Sequence, residues 1–471
     1  GSNSYTGGST ISEGTLELRS ADTIPATGVH LLSGGTTVRL VSDTALTGLG
    51  TLSAGSSTTT SVTFVSDRIT AGSGLMHAMG TPNFGNTTLN FTKGANVASG
   101  TAGFILGGIG MTAGAAGNVV LNPIDATVSI IGSVSIPANN QPKGLTLAGD
   151  TSGNEVSGVI SNGINTVSVT KQGTSTWTIT GANTYTGMTT VDQGSLVFAT
   201  TDQVLSGGLT FGASAGSTNV GSLDLSAASA TFGGGLIVRT NAAIANNVTI
   251  GAGETLTFTG STVTNAVTVG NNASSVLANF QASGAGTLAI NEATSNIVVA
   301  SADAGGASAN MDLTNLANFT ANVANIYIGR PTSAAGAAAG GRPADSMNLA
   351  AANNISVSGN LVVGGQASVG FQGSCFLRLG TTNVINANAL VIGNGRINGN
   401  VSFNTGLTNP SAILRGATGG TSRLNINLGD QANGTAVGTG GGGSNVVSGT
   451  MDFTNGTVDA MIDTMVMGLG A

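Results

Sequence analysis

The chain has 471 residues and a mass of only 45.6 kDa, so its average side chain is unusually small. It contains 76 glycines, 4% aromatic residues and 7% charged residues, which argues against a large core built mainly on Phe, Tyr, Trp and Leu. The hydrophobic content of 40%, the mean hydropathy of +0.28 and the net charge of −7 argue against disorder. Eight prolines, without a three-residue glycine period, exclude collagen.

The charged and apolar residues also limit the partners that we expect. The 13 basic residues are scattered singly, whereas binding to a phosphate backbone needs clustered Lys and Arg, so we expect no nucleic-acid partner. No stretch reaches the roughly 18 consecutive apolar residues of a membrane helix, so no membrane span is predicted. A lone cysteine, Cys375, excludes an internal disulfide, and we interpret it as a small buried apolar residue.

The first predicted element is a short repeat, because residues 1–18 match residues 181–198 at an offset of 180. We assign residues 1–25 and 156–205 to this repeat. In the second copy, Thr176–Thr180 alternates polar and apolar residues as a half-buried strand does, and turn-forming pairs such as Gln193-Gly194 follow. The residues that recur in the first copy are Gly1, Asn3, Tyr5, Thr6, Gly7, Thr10, Gly14 and Leu16.

A second repeat type is predicted over residues 311–471, where strands end in the pattern apolar-x-apolar-Gly. A strand-like apolar pair begins 16 to 18 residues before each of these glycines. Two stretches rich in Gly and Ala, 331–346 and 432–444, are predicted to be loop insertions. The strand endings are Ile326–Gly329, Leu361–Gly364, Leu390–Gly393 and Met465–Gly468, and the pairs are Met311 and Leu313, Met347 and Leu349, Leu377 and Leu379, and Met451 and Phe453.

Short strands at repeat periods of about 20 to 50 residues are typical of a solenoid, in which each coil contacts only its neighbours. A parallel β-helix suits this composition, because its narrow interior accepts Val, Ile, Leu, Ala and Thr and its turns need Gly and Asn. We therefore predict an all-β fold with one continuous, elongated β-solenoid over residues 1–471. Coils of about 20 to 25 residues would give roughly 20 coils and a length on the order of 100 Å.

The stretch Val156–Phe198 resembles the autotransporter-associated β-strand repeat of large bacterial surface proteins. Residues 1–18 resemble the second half of that repeat. The resemblance implies a right-handed parallel β-helical passenger, exported by a Gram-negative bacterium and displayed or released outside the cell. Residues 461–471 are expected to form another coil rather than the membrane-barrel end of that family. The motif residues that we single out are Trp177, Asn183, Tyr185, Gly187 and Gly194, with Asn3, Tyr5, Gly7 and Gly14 in the first copy.

Few residue patterns point to chemistry, and we predict no enzyme, no catalytic residue, no cofactor and no metal site. The densest acidic group, Asp452, Asp459 and Asp463, has no basic residue near it in sequence and is interpreted as solvated acids. His30 and His77 are too far apart for a local metal motif and are interpreted as surface or turn residues. A polysaccharide-cleaving β-helix enzyme stays open as a less favoured alternative.

The function that we predict is structural. Neither end of the chain shows a polar capping unit, so we expect neighbouring copies to cover the ends. The chain would then be the subunit of an extracellular filament, sheath or surface layer, self-associating end to end or side by side. The alternative is a stalk or adhesin fragment of a larger autotransporter-like protein. An extracellular or cell-surface polysaccharide is a second expected partner.

Overall fold

The structure is a computed structural model that describes residues 5–20, 29–54, 60–112, 116–137, 141–214, 216–260, 263–270, 277–300, 308–329, 344–364, 373–394, 397–430 and 447–468. These residues form strands, turns and bends without a helix, which confirms the predicted all-β class. None of them lies in a helix that could cross a membrane. The chain divides into two compact units, residues 1–207 and 208–471.

Unit 1 consists of short strands separated by turns. Its strands are β1 (Thr10–Ile11), β2 (Thr15–Leu18), β3 (Val29–Leu32), β4 (Thr37–Val41), β5 (Thr51–Ser53), β6 (Thr60–Asp67), β7 (Gly72–Ser73), β8 (Met76–Met79), β9 (Asn83–Phe84), β10 (Thr87–Lys93), β11 (Val97–Ser99), β12 (Gly103–Leu106), β13 (Ile109–Met111), β14 (Gly117–Pro123), β15 (Thr127–Ile130), β16 (Val134–Ile136), β17 (Lys143–Leu147), β18 (Asn154–Val156), β19 (Ile160–Gly163), β20 (Val167–Lys171), β21 (Thr176–Ile179), β22 (Thr189–Val191), β23 (Gly194–Ala199) and β24 (Gln203–Leu205).

The strands of unit 1 stack in parallel columns, each strand pairing with its counterpart in the next coil. One column runs β2, β4, β6, β10, β14, β17, β20, β22, a second runs β8, β12, β15, β18, β21, β23, and a third runs β9, β13, β16, β19. Coil length varies: Trp177 pairs with Leu196, 19 residues later, whereas Leu89 pairs with Leu121, 32 residues later. This is the stacking of a parallel β-solenoid.

Unit 2 has longer strands. They are β25 (Leu209–Phe211), β26 (Gly221–Ala227), β27 (Ala230–Phe232), β28 (Leu236–Val238), β29 (Asn246–Ile250), β30 (Thr255–Phe258), β31 (Asn265–Gly270), β32 (Leu277–Ala300), β33 (Ser308–Asp312), β34 (Leu316–Ile328), β35 (Ser346–Asn348), β36 (Ala352–Val363), β37 (Gly373–Leu379), β38 (Thr382–Asn394), β39 (Ile397–Phe403), β40 (Ser411–Arg415), β41 (Leu424–Asp430), β42 (Gly449–Asp452), β43 (Thr457–Ala460) and β44 (Ile462–Met467).

Three parallel columns also form unit 2. The first contains β26, β29, β33, β35, β37, β39 and β42, and the second contains β27, β30, β40 and β43. The third contains β25, β28, β31, β41 and β44. The long strands join columns: β32 enters all three, whereas β34, β36 and β38 bend from the second column into the third. Among the strand pairings of the described residues of unit 2, the bridge between Asn394 and Ile397 is antiparallel.

The core of each unit lies between its columns and is built from inward-facing apolar side chains that repeat coil after coil. In unit 1, the rings of Phe64 and Phe91 stack with their centroids 5.6 Å apart. In unit 2, Phe232 and Phe258 stack in the same way at 5.8 Å. All four are fully buried. Stacking like on like lets a core with few aromatic residues stay filled.

In unit 2, residues at equivalent positions of the second sequence repeat are paired by the strand register. Met311 pairs with Met347, which pairs with Leu377. Ile326 pairs with Leu361, which pairs with Leu390. Sequence reasoning overlooked one coil within the 75 residues between Gly393 and Gly468: Ile426–Gly429 also reads apolar-x-apolar-Gly, and Ile426 pairs with both Leu390 and Met465.

The glycine that ends each of these strands has a backbone reason. It adopts a left-handed conformation, which costs glycine least because glycine has no Cβ atom. The φ angles are +87° at Gly270, +102° at Gly329, +98° at Gly364, +73° at Gly393, +68° at Gly429 and +67° at Gly468.

The predicted insertion at 331–346 extends too far at its C-terminal end. Ser346 begins β35, and the buried Asp345 accepts a hydrogen bond from the Ala309 N–H at 2.8 Å. The rest of that insertion up to residue 343, and the whole of 432–444, lie outside the described residues.

Polar side chains form a second repeating feature of unit 2, an asparagine ladder at the bend between the second and third columns. The Nδ2 of Asn325 donates to the Oδ1 of Asn296 at 3.0 Å, and the Oδ1 of Asn325 accepts from the Asn360 N–H at 2.9 Å. Asn388 and Asn425 continue it, the Nδ2 of Asn388 donating to the Oδ1 of Asn360 at 3.4 Å and that of Asn425 to the Asn388 carbonyl at 3.3 Å. The ladder satisfies polar groups where the strands bend.

Candidate functional site

The repeat motif of residues 156–205 places two aromatic side chains inside unit 1. Trp177 on β21 has no exposed surface, and its Nε1–H donates to the Ala148 carbonyl at 2.9 Å. Tyr185 is also fully buried, and its hydroxyl shares a 2.8 Å hydrogen bond with the Thr189 hydroxyl. Burial raises the pKa of this phenol. Both rings pack between coils, so neither offers a platform for a sugar ring.

Asn183 connects its own turn to the coils on either side. Its Oδ1 accepts the Ile160 N–H at 2.8 Å, and its Nδ2 donates to the Oε1 of Gln203 at 2.8 Å. Gln203 in turn donates to the Gly181 carbonyl at 3.0 Å. Both amide side chains are at least 95% buried. Sequence reasoning named Asn183 but not Gln203, which has no counterpart within residues 1–18.

Lys171 is a buried cation that sequence reasoning did not single out. Its side chain has no exposed surface, and its Nζ donates to the carbonyls of Gln172, Gly173 and Gln193 at 2.5, 2.8 and 3.1 Å. Burial lowers the pKa of the ammonium to about 8, and the carboxylate of Asp150 opposes that shift. The ammonium therefore fills the inside of two stacked turns and satisfies their carbonyls.

Strand parity could have revealed this lysine. In β20, Val167, Val169 and Lys171 lie two residues apart and face inward together. The same holds for Lys143 at the start of β17, which is 2% exposed and donates to the Oδ1 of Asn86 at 3.1 Å. Lys93, the third lysine of the chain, is exposed.

The neighbouring coil requires glycine at both motif glycines of the second copy. A Cβ atom on Gly187 would lie 2.3 Å from the Val167 carbonyl oxygen. At Gly194 it would lie 2.4 Å from the Gly173 carbonyl oxygen, and the φ angle of Gly194 is +72°. Any larger residue would push the coils apart.

The first copy of the motif keeps one local hydrogen bond of the second copy but has a different environment. The Ser9 hydroxyl donates to the Tyr5 hydroxyl at 3.0 Å, as the Tyr185 and Thr189 hydroxyls bond in the second copy. Tyr5, however, is 42% exposed, and a Cβ on Gly7 or Gly14 would meet no atom within 4 Å. Asn3 lies outside the described residues. The coil that covers Tyr185 has no counterpart over Tyr5 among the described residues.

The interpretation of His30 and His77 as surface or turn residues is wrong. Both lie on strands, β3 and β8, and are 1% and 0% exposed, because their positions face inward. The Nδ1 of His77 accepts the Leu46 N–H at 3.0 Å, so the proton of the neutral ring is on Nε2. Burial lowers the pKa of His77 to about 4. Cys375 is fully buried, as expected.

The acidic group near the C-terminus does not converge on one point. Asp452 accepts hydrogen bonds from the backbone and hydroxyl of Thr454, which lower the pKa of its carboxyl group. Asp459 forms an ion pair with Arg415 at 2.7 Å, a basic partner from the preceding coil that the local sequence did not show. Asp463 is exposed. Among the described residues, no group of three or more His, Cys, Asp or Glu side chains is placed to hold a metal ion.

Comparison with known proteins locates the motif in a family. Residues 1–18 and 169–198 match the family model of the passenger-associated-transport-repeat. The matched residues include Asn183, which bonds to the coils on either side, Tyr185, which bonds to Thr189, and Gly187 and Gly194, which lie against the neighbouring coil. No curated protein and no solved structure matches the chain.

Proposed function

Because the chain carries two copies of the passenger-associated-transport-repeat, the repeat of autotransporter-like surface proteins, we propose that it is a structural β-solenoid of passenger type at the surface of a Gram-negative bacterium. The observation that supports the proposal is that the polar groups of the motif form hydrogen bonds inside the solenoid. Trp177, Asn183 and Lys171 all bond to other coils or turns, and none is left facing solvent. Such a motif stabilises a scaffold and leaves its outer surface for display.

The proposal includes the hand of the coils and the absence of a catalytic role. We take the coils as right-handed, the hand of about 98% of parallel strand–crossover–strand units. The motif and the acids are assigned no catalytic role, since Asp452 and Asp459 are bonded to Thr454 and Arg415.

Self-association is part of the same proposal. Among the described residues, β44 pairs on one side, with β41, and its Met465 and Met467 are 48% and 71% exposed. Exposed apolar side chains on an edge strand favour pairing with another chain. A second copy of the chain would cover them, in a filament, sheath or layer. An adhesive stalk that stays monomeric is the competing structural role.

Localisation in the source bacterium tests the surface assignment. An antibody against the chain is expected to stain intact cells or to detect the protein in the medium. Proteinase treatment of intact cells should remove the cell-bound signal while a cytoplasmic marker survives. Staining that needs permeabilised cells, with no secreted protein, would refute the assignment.

Sedimentation velocity of the 471-residue protein tests self-association. The wild-type protein is expected to form oligomers at micromolar concentration, and Met467→Asp to reduce them. Val204→Asp is the matched control, because Val204 is 73% exposed but lies on a different strand, β24. A monomeric wild-type protein, or equal effects of both substitutions, would favour the stalk.

A further inference from the structure

Neighbouring coils of unit 2 have turns of unequal length after the first column of strands. Only Gly380 and Thr381 separate β37 from β38, whereas residues 404–410 separate β39 from β40. The short turn leaves a groove with a volume of about 450 Å³. Its lining residues are Thr314, Leu349, Ala350, Ala351, Gly380, Thr381, Asn404, Thr405 and Leu407. The volume lies in the range of ligand pockets, about 300 to 1,000 Å³.

The lining of the groove is neutral and hydrogen-bonding. The lining consists of three threonines, an asparagine, two leucines, two alanines and a glycine, and no carboxylate or cation is among them. Two lining residues are in close contact, since a Cβ on Gly380 would lie 1.7 Å from the Ala350 carbonyl oxygen. Hydroxyl and amide groups beside small apolar surfaces are the chemistry that binds the hydroxyls and C–H faces of sugars.

A cation lies on the outer sheet face beside the groove. Arg378 precedes Gly380 by two residues, so the two Cα atoms lie roughly 7 Å apart along the extended chain. Its guanidinium lies over the ring of Phe376, 4.7 Å from the ring centroid, and its Nη1 donates to the Oδ1 of Asn348 at 3.0 Å. Within the described residues it forms no ion pair. The ring and the amide hold the guanidinium in place and leave donors free for a carboxylate.

The carboxylates in the same row of the sheet do not neutralise Arg378. The row runs Asp312, Asn348, Arg378, Ser402, Asp452 by strand register, so each aspartate is two strands from the arginine. Asp312 accepts from the backbone and hydroxyl of Thr314, at 3.0 and 2.8 Å, just as Asp452 does from Thr454. At two strand spacings, about 10 Å, solvent and salt screen the attraction.

We propose that this groove binds a segment of an acidic polysaccharide, with a uronate carboxylate on Arg378 and the next sugar in the groove. The proposal rests on the surface location proposed above, because acidic polysaccharides occur at cell surfaces. It names the class of ligand that the solenoid would bind there. The groove lacks the paired carboxylates of a glycosidase, so its role would be to hold the polymer.

Isothermal titration of the 471-residue protein with oligogalacturonate, and with its neutral methyl ester, tests the site. Wild-type protein is expected to bind the acid more tightly than the ester. Arg378→Met should weaken acid binding at least 10-fold and leave ester binding unchanged, because it removes the charge and keeps the chain length. Thr381→Trp should weaken both ligands by filling the groove. Lys93→Met, which removes an exposed charge in unit 1, is the matched control and should change nothing.

Three outcomes would overturn the proposal: no binding of either ligand by folded wild-type protein, equal binding of acid and ester, or a loss in Lys93→Met as large as in Arg378→Met. Melting curves of the variants identify any loss that comes from unfolding, and Asn348→Ala, which frees the guanidinium without removing it, provides a second test with an expected smaller loss. The antibody test of localisation is independent, so either proposal can fail while the other stands.

Discussion

Tyr185 and Tyr5 occupy the same place in two copies of one motif, yet one is fully buried and the other is 42% exposed. The local hydrogen bond to a hydroxyl four residues later is kept in both. What differs is the neighbouring coil, which the motif itself cannot specify. The same limit explains the histidines: residue type favours the surface, but strand parity puts His77 inside, and parity is fixed only by the register with adjacent coils.

The paired glycines of the motif give a matched prediction. Gly187→Ala should lower the free energy of unfolding by about 2 to 4 kcal/mol, because the new methyl group would meet the Val167 carbonyl. Gly7→Ala should change it by less than about 0.5 kcal/mol, since nothing lies within 4 Å. Urea unfolding of both variants measures the difference. Equal effects would mean that the coil over Gly187 is not packed as described.

Titration of His77 makes the free energy of unfolding depend on pH. Its pKa is 6.5 in an unfolded chain and about 4 in the folded protein, so the unfolded state binds the proton more tightly. The stability contributed by neutral His77 is complete above pH 6.5 and is lost as pH falls towards 4, by up to about 3 kcal/mol. Urea unfolding at pH 7 and pH 4.5 should show a smaller loss for His77→Gln, whose amide oxygen can still accept the Leu46 N–H. A loss as large as in the wild type would assign the acid sensitivity to carboxylates.

At the scale of elements, the sequence predicts the coils whose strands end in apolar-x-apolar-Gly, because the left-handed corner demands glycine. The pattern does not identify the coil that contains Ile297–Ala300. This segment occupies the same position in the third column but has alanine where the other coils have glycine. The groove beside Arg378 could not be predicted, since it depends on which turns lie next to each other. That order follows from strand register, and a shift of one coil would fill the groove or move it.

The asparagine ladder gives the prediction that belongs to this scale. Asn325→Ala removes a donor to Asn296 and an acceptor for the Asn360 N–H, so it should cost about 1 to 3 kcal/mol of unfolding free energy. Asn322→Ala, three residues earlier on β34, loses one long, exposed bond of 3.4 Å to Asn291 and should cost less than about 0.5 kcal/mol. Thermal melts of the two variants compare them directly. A smaller cost for Asn325→Ala would show that the ladder adds little to stability.

At the scale of the molecule, each unit is stabilised mainly between neighbouring coils. The register pairs a strand with the next coil, and the core stacks like residues on like residues. In such a chain, stability is close to a sum of coil and interface contributions. A substitution that destabilises one coil should therefore destabilise only the coils next to it. This is the property that lets a scaffold accept insertions of different length.

Hydrogen exchange of Trp177→Ala tests this locality within unit 1. Loss of the buried indole should raise the exchange rates of amides in β20–β23 by at least about 100-fold, because the substitution costs about 3 to 5 kcal/mol. Amides in β4 and β6, several coils away, should exchange at the wild-type rate. Uniform acceleration across unit 1 would show that its coils unfold as one cooperative block.

The burial of two lysines has a practical consequence. Lys171 is enclosed by three carbonyls and Lys143 is 2% exposed, so an amine-reactive reagent reaches neither while the coils are intact. Lys93 is then the single lysine side chain open to acylation, besides the α-amino group at the start of the chain. Its exposure provides a natural attachment point for one dye or one cross-linker, placed without adding a cysteine and without touching the groove beside Arg378.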